Sequence, residues 1–158
     1  MNADPEAARR DRGIIHATIV RLHEWFRHTI PFDQLTMVET HGRVQPPGFG
    51  QLCGCSTQLL SPELYRDFVA PLDDAVLALY PEGGMIHLCG AHAQHLLAWR
   101  GMRSLRALQI NDRAATDFEV YWSGLRDDQV TYVAADDGLA RTDKLRVTRG
   151  RRLVLVER

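Results

Sequence analysis

Near the start of the chain, apolar residues recur with the spacing of a helix. From Ile14 to Ile30, Ile15, Ile19, Leu22 and Phe26 share one side, Ile14 and Trp25 flank them, and Arg21, Glu24 and Arg27 lie opposite. This pattern predicts an amphipathic helix that ends at Pro31. Leu35 to Glu39 reads as a short strand, and Thr40 to Gly48, with Pro46-Pro47-Gly48, as a loop. Phe49 to Cys55 reads as the end of a further strand. The clearest helix start follows, with Ser61 as N-cap, Pro62 in the first helical position and Glu63 at the positive end of the dipole. Its apolar face includes Leu64, Tyr65, Phe68, Leu72, Val76 and Leu79, and Pro71 is expected to kink the helix or end its first segment.

Pro81-Glu82-Gly83-Gly84 turns the chain into a buried strand that runs through Met85 and Ile86 to Cys89. Gly90 then permits a sharp turn into a helix-like stretch, Ala91 to Met102. Beyond it, Leu105–Ile110 reads as a strand, Ala114 to Leu125 as a helix, Gln129 to Ala134 as a strand and Arg152 to Val156 as the last strand. Strands alternating with helices predict βαβ crossovers and a mostly parallel sheet, an α/β fold.

A length of 158 residues suits one domain with a sizeable core. Residues 1–12 are polar and charged, so they read as a disordered lead-in to a single domain over 13–158. Hydrophobic content of 45%, charged content of 25% and a net charge of −1 describe an ordinary soluble globular protein and point away from nucleic acid. No apolar run approaches the ~20 residues of a membrane span. Three cysteines without a secretory leader imply a reducing, cytoplasmic setting.

The candidate chemistry lies at the strand ends. His87 and Cys89 leave the sheet on the same side, because side chains alternate along a strand. Cys53 and Cys55 form a second pair on the preceding strand, so four nitrogen and sulfur donors converge if the two strands are neighbours. The alternative is a hydrogen-bonded core histidine among thiols that merely pack. His16, His23 and His28 are assigned no function. His92 and His95, just after Gly90, either orient ligands or substrate or take solvated or capping roles at the start of a helix. Asn111 and Asp112 either line the same mouth or, for Asp112, cap a helix.

Leu60-Ser61-Pro62-Glu63-Leu64-Tyr65-Arg66-Asp67-Phe68-Val69-Ala70-Pro71, followed by His87-Leu88-Cys89-Gly90, resembles the uroporphyrinogen decarboxylase superfamily. The resemblance covers roughly Gly48 to Asp137 and implies a TIM-type (β/α)₈ barrel with its active site at the carboxyl ends of the strands. Cys53, Cys55, His87, Cys89, Asn111, Asp112 and Asp136 fall at those ends. The His-x-Cys element is similar to that of the zinc-dependent methylcobamide:thiol methyltransferase branch, in which the His and Cys hold zinc with a Cys from a later strand. The resemblance therefore implies zinc on His87 and Cys89, a thiol as methyl acceptor and a corrinoid protein or similar donor. Tetrapyrrole decarboxylation is the alternative, with Arg106 and Arg113 as available cations.

Two departures from the family matter. No cysteine follows Cys89, so the missing ligand falls to Cys53 or Cys55, with Asp136 as the harder, oxygen-donor substitute. A whole barrel takes about 250 residues, so the chain is expected to form a partial barrel, active with a complementing chain or else a non-catalytic half-barrel. Unpaired edges then predict an oligomer, with Ile86, Leu88, Leu108, Ile110, Val154 and Val156 as the residues facing the barrel axis.

Overall fold

A computed structural model of the chain describes residues 4–31, 34 and 48–157. Five strands, β1 (Gly50–Cys53), β2 (Gly84–Leu88), β3 (Leu105–Ile110), β4 (Val130–Ala134) and β5 (Leu153–Val156), form one sheet in chain order, and every neighbouring pair is parallel. Helix α1 (Pro5–Thr29) precedes the sheet. α2 (Pro62–Phe68) and α3 (Ala70–Leu77) join β1 to β2, and α4 (Leu96–Gly101) joins β2 to β3. α5 (Asp112–Thr116) and α6 (Phe118–Gly124) join β3 to β4, and α7 (Arg141–Thr148) joins β4 to β5.

The crossover helices pack on one face of the sheet, as successive neighbouring strands joined by crossovers of one hand require. On that face Ile86, Leu88, Leu108, Ile110 and Val133 pack against Tyr65, Leu77, Trp99, Phe118 and Tyr121. The second apolar cluster is made by the strands themselves: Met85, Ala107, Tyr132 and Val156, with Phe49, Val130 and Val154 against them. An all-parallel sheet with helices on one side and strand residues on the other is the layout of part of a (β/α) barrel.

The expected axis-facing set needs correcting. Ile86, Leu88, Leu108 and Ile110 face the helices, and only Val154 and Val156 of that set lie on the opposite face. Apolar residues occur on both faces of these strands, so alternation separates two sets, and only the polar Gln51, His87 and Gln109, which fall with Met85 and Ala107 on the face away from the helices, set one apart. An irregularity in the β2–β3 pairing adds to this: Gly84 pairs with Leu105 and Met85 with Ala107, so Arg106 is an extra residue that shifts the parity of β3.

The helix boundaries follow from local chemistry. Ser61 Oγ accepts from the Leu64 amide at 3.2 Å with Pro62 in the first turn, as expected, and the helix breaks at Val69 just before Pro71. α1 begins at Pro5, so residues 5–12 are helical where a disordered lead-in was expected. Asp4 caps it by accepting from the Ala7 amide at 2.9 Å. Between Ala91 and Met102 only a 3₁₀ turn (Ala93–His95) and α4 form. The single helix expected from Ala114 to Leu125 is split at Asp117. The strand expected at 35–39 and most of the loop at 40–48 lie outside the described residues. No described helix is long and apolar enough to cross a membrane.

Candidate metal centre

β1 and β2 run side by side in register, with Cys53 opposite His87. Immediately after β1 the Gly54 amide donates to the His87 carbonyl at 2.9 Å, drawing the chain tightly over β2. A Cβ on Gly54 would lie 2.8 Å from Ile86 Cγ2 and 2.9 Å from Leu88 Cδ2, so glycine is what permits this approach. Cys55 then opens a 3₁₀ turn, Cys55–Leu59, with its Sγ 3.9 Å from the His87 carbonyl oxygen. Cys89 lies just past the end of β2, and its Sγ is 3.0 Å from His87 Nε2. The ligand atoms of Cys55, His87 and Cys89 all lie within 4.8 Å of one another, and this group can hold a metal ion.

His87 is buried and the two cysteines are half-buried. Its ring is oriented from behind. Gln109 Oε1 accepts from Gln51 Nε2 at 3.3 Å and lies 3.2 Å from His87 Nδ1, so it also accepts the Nδ1 proton. A protonated Nδ1 leaves the Nε2 lone pair directed at Cys89. The Cys55 thiol is pushed up to about 12, first by burial, then by hydrogen bonds and charge from Cys89 and Cys53. A cation among these groups reverses that preference, because it stabilises the thiolates.

The donor set suits a metal ion that takes thiolate and imidazole ligands. Bonds of about 2.0–2.3 Å in a tetrahedral N/S site place donor atoms about 3.3–3.8 Å apart, so the group closes onto an ion with movements of about 1 Å. Two sulfurs and one imidazole nitrogen leave a fourth position for a substrate or water.

The 3₁₀ turn carrying Cys55 is fastened to the helical layer by two histidines. Thr57 Oγ1 donates to the Gly54 carbonyl at 2.7 Å and accepts from His92 Nδ1 at 3.3 Å, while the Thr57 carbonyl accepts from His95 Nε2 at 2.9 Å. His95 stacks on Tyr65 with ring centroids 4.3 Å apart, and the His92 amide donates to the Tyr121 hydroxyl at 2.7 Å. Both histidines are fully buried. Burial and the His95 charge lower His92 to about 4, and burial lowers His95. Neutral rings explain why His92 Nε2 and His95 Nδ1 lack partners among the described residues: each is a spare lone pair rather than an unmet donor.

The other expected site residues lie apart from this group. Cys53 is exposed at the end of β1, close enough to act on Cys55 but outside the three-residue group. Asp136 is exposed beyond β4, two strands from β2. Asn111 precedes α5 and gives its amide to the Leu88 carbonyl at 2.8 Å. Asp112 is exposed, and its amide donates to Asp137 Oδ2 at 3.0 Å. His92 presents no surface to solvent. Arg106 pairs with Asp128 at 2.9 Å near the start of β3, the end of the sheet opposite Cys89, and Arg113 is exposed on α5. Gln51 and Gln109 were missed at the sequence level, although glutamine within the apolar run Leu105–Ile110 is itself a signal of a buried polar contact. Comparison of the chain with protein-family models, curated proteins and solved structures gave no match.

Proposed function

We propose that the chain holds zinc on Cys55, His87 and Cys89 and uses the centre to activate a small thiol as a methyl acceptor. The observation that carries this reading is the convergence of two thiols and an oriented imidazole at the carboxyl ends of β1 and β2. Parallel α/β sheets place their ligand sites at those ends. The resemblance of His87-x-Cys89-Gly90 to the methyltransferase branch of the uroporphyrinogen decarboxylase superfamily supports it further. Soft donors favour zinc over the harder divalent ions, and Cys55 supplies the second sulfur in preference to Asp136.

When bound, zinc stabilises the thiolate of an entering thiol, the form that attacks a methyl group. The chain's own residues position that chemistry. Gln109 keeps the proton on His87 Nδ1, Gly54 lets Cys55 reach over β2, and Thr57 with His92 and His95 holds the turn in place. With methylcobalamin as donor, the thiol sulfur takes the methyl group, cobalt keeps the bonding electron pair as Co(I), and the thiol proton passes to solvent. The decarboxylase reading needs cations around a tetracarboxylate, and Arg106 is committed to Asp128 at the far end of β3.

Metal analysis of protein purified without chelator is the test. Near-stoichiometric zinc is expected, with most of it lost in Cys89→Ala. Folded, metal-free wild-type protein would refute the zinc centre. Zinc-loaded protein that fails to methylate simple thiols from methylcobalamin would refute the reaction alone.

A further inference from the structure

On the other face of β1 from Cys53, where Leu52 points toward the helices, an apolar cleft of about 410 Å³ separates α1 from the α2–α3 pair. Its volume is in the range of small-molecule sites. Ile15 and Ile19 of α1 form one wall, and Phe68, Val69, Leu72 and Val76 the other. Asp73 also lines the cleft. Its Oδ2 accepts from the Tyr65 hydroxyl at 3.1 Å, and its Oδ1 accepts no hydrogen bond among the described residues. The Tyr65 oxygen is held in turn by Trp99 Nε1 at 2.9 Å, so the carboxylate is fixed from behind and open in front.

We propose that this cleft binds a small organic ammonium compound, with its apolar body between α1 and α3 and its ammonium group on the Asp73 carboxylate. The apolar walls favour a hydrocarbon or aromatic body, and a largely desolvated carboxylate with a single hydrogen bond favours a cationic donor. Asp11, Arg12 and His16 also line the cleft. Arg12 donates through Nη1 to the Asp67 and Phe68 carbonyls at 3.1 and 2.9 Å and lies over the Phe68 ring, which engages that end of its guanidinium at the carboxyl end of α2, while its Nε is buried without a partner among the described residues and is the competing anchor for an anion. Burial raises the Asp73 carboxyl to about 6, still ionised near neutral pH. A cation in the cleft removes the cost of holding that charge away from water.

Calorimetric titration of the full chain with 2-phenylethylamine, 2-phenylethanol and 3-phenylpropionate tests the assignment. The amine is expected to bind saturably at one site and more tightly than the alcohol. Asp73→Asn should weaken it by about tenfold or more, since a charged hydrogen-bond partner is lost. Leu72→Trp, which puts an indole into the cleft and keeps the Asp73 carboxylate, should abolish binding while zinc content stays at the wild-type level. Absence of saturable amine binding to the wild type would overturn the proposal, as would an amine affinity unchanged by Asp73→Asn in a folded variant. Tighter binding of 3-phenylpropionate would overturn it in favour of Arg12 as the anchor.

Discussion

A lone pair on His87 Nε2 is available for coordination only while Nδ1 keeps its proton, and the Gln109 oxygen holds the proton there. Gln109→Leu keeps the bulk and removes the acceptor, so zinc affinity should fall about 10–100-fold in competition with a chromophoric chelator. An unchanged affinity would mean that packing alone orients the ring. Protons compete with the metal for the same thiols, and Cys55 holds its proton strongly, so zinc affinity should rise with pH across the neutral range. His87 and Cys89 were legible in the sequence because two residues two apart on a strand must share a face. Cys55 was legible as a donor but not in its placement: it reaches the group from a 3₁₀ turn after the strand, and the closeness of that turn depends on Gly54. The histidines after Gly90 read either as groups that orient ligands or substrate or as solvated or capping residues; they are buried ties on Thr57 that hold the turn carrying Cys55, and the packing that buries them is not described by the alternation of side chains.

At the scale of elements, the approach of the β1–Cys55 turn to β2 has no slack. Gly54→Ala would put a Cβ within 3 Å of Ile86 and Leu88 side chains, costing about 1–3 kcal/mol in urea unfolding of the metal-free protein, and weakening zinc binding by displacing Cys55. Wild-type zinc affinity in this variant would show that the turn adjusts freely. The α2–α3 pair carries a different tension, in Asp73. Its folded carboxyl titrates near 6 against an ordinary 3.8, so the folded state binds more protons between those values and stability is lost as pH rises through them. Asp73→Asn should therefore gain on the order of 2 kcal/mol near neutrality, allowing for partial exposure, and nothing below pH 4. His92 acts in the opposite sense: lowered to about 4 from 6.5, it holds its stabilisation above 6.5 and loses it on acidification. The two largely offset in the wild type between pH 4 and 6, so Asp73→Asn should expose a loss of stability on acidification that unfolding curves at stepped pH would record. Parallel profiles for variant and wild type would contradict this. Signals for the helices were unevenly readable. Asp4-Pro5-Glu6 repeats the cap, proline and acid pattern of Ser61-Pro62-Glu63, yet the polar residues after it hid a helix start that the same rule identifies. α7 has no side-chain cap and buries only Lys144 and Thr148, so neither periodicity nor capping announced it.

For the whole molecule, alternation of strands and helices was enough to predict a parallel sheet, because a helix crossover brings the next strand back in the same direction, whereas the order β1 to β5 along the sheet is what a barrel-like layout adds. Which face the helices cover was only weakly marked, since apolar residues lie on both faces and only the polar Gln51, His87 and Gln109 distinguish the one away from the helices. The same sheet leaves consequences for association. Among the described residues β1 and β5 each have one neighbouring strand, so each presents an edge with main-chain groups outside the ladder. α1 buries no residue and exposes Ile14 at 64%, Trp25 at 57%, Leu22 at 49% and Phe26 at 44%, a row of large apolar side chains on one helix. Contiguous apolar surface of this kind marks interaction sites. We expect the chain to self-associate through α1, with sedimentation velocity showing a concentration-dependent shift to larger species. Trp25→Glu together with Ile14→Glu should reduce that shift without loss of zinc, because neither residue touches the metal group. A compact monomer at every concentration that binds no hydrophobic dye would count against association and would require the apolar row on α1 to be covered within the chain.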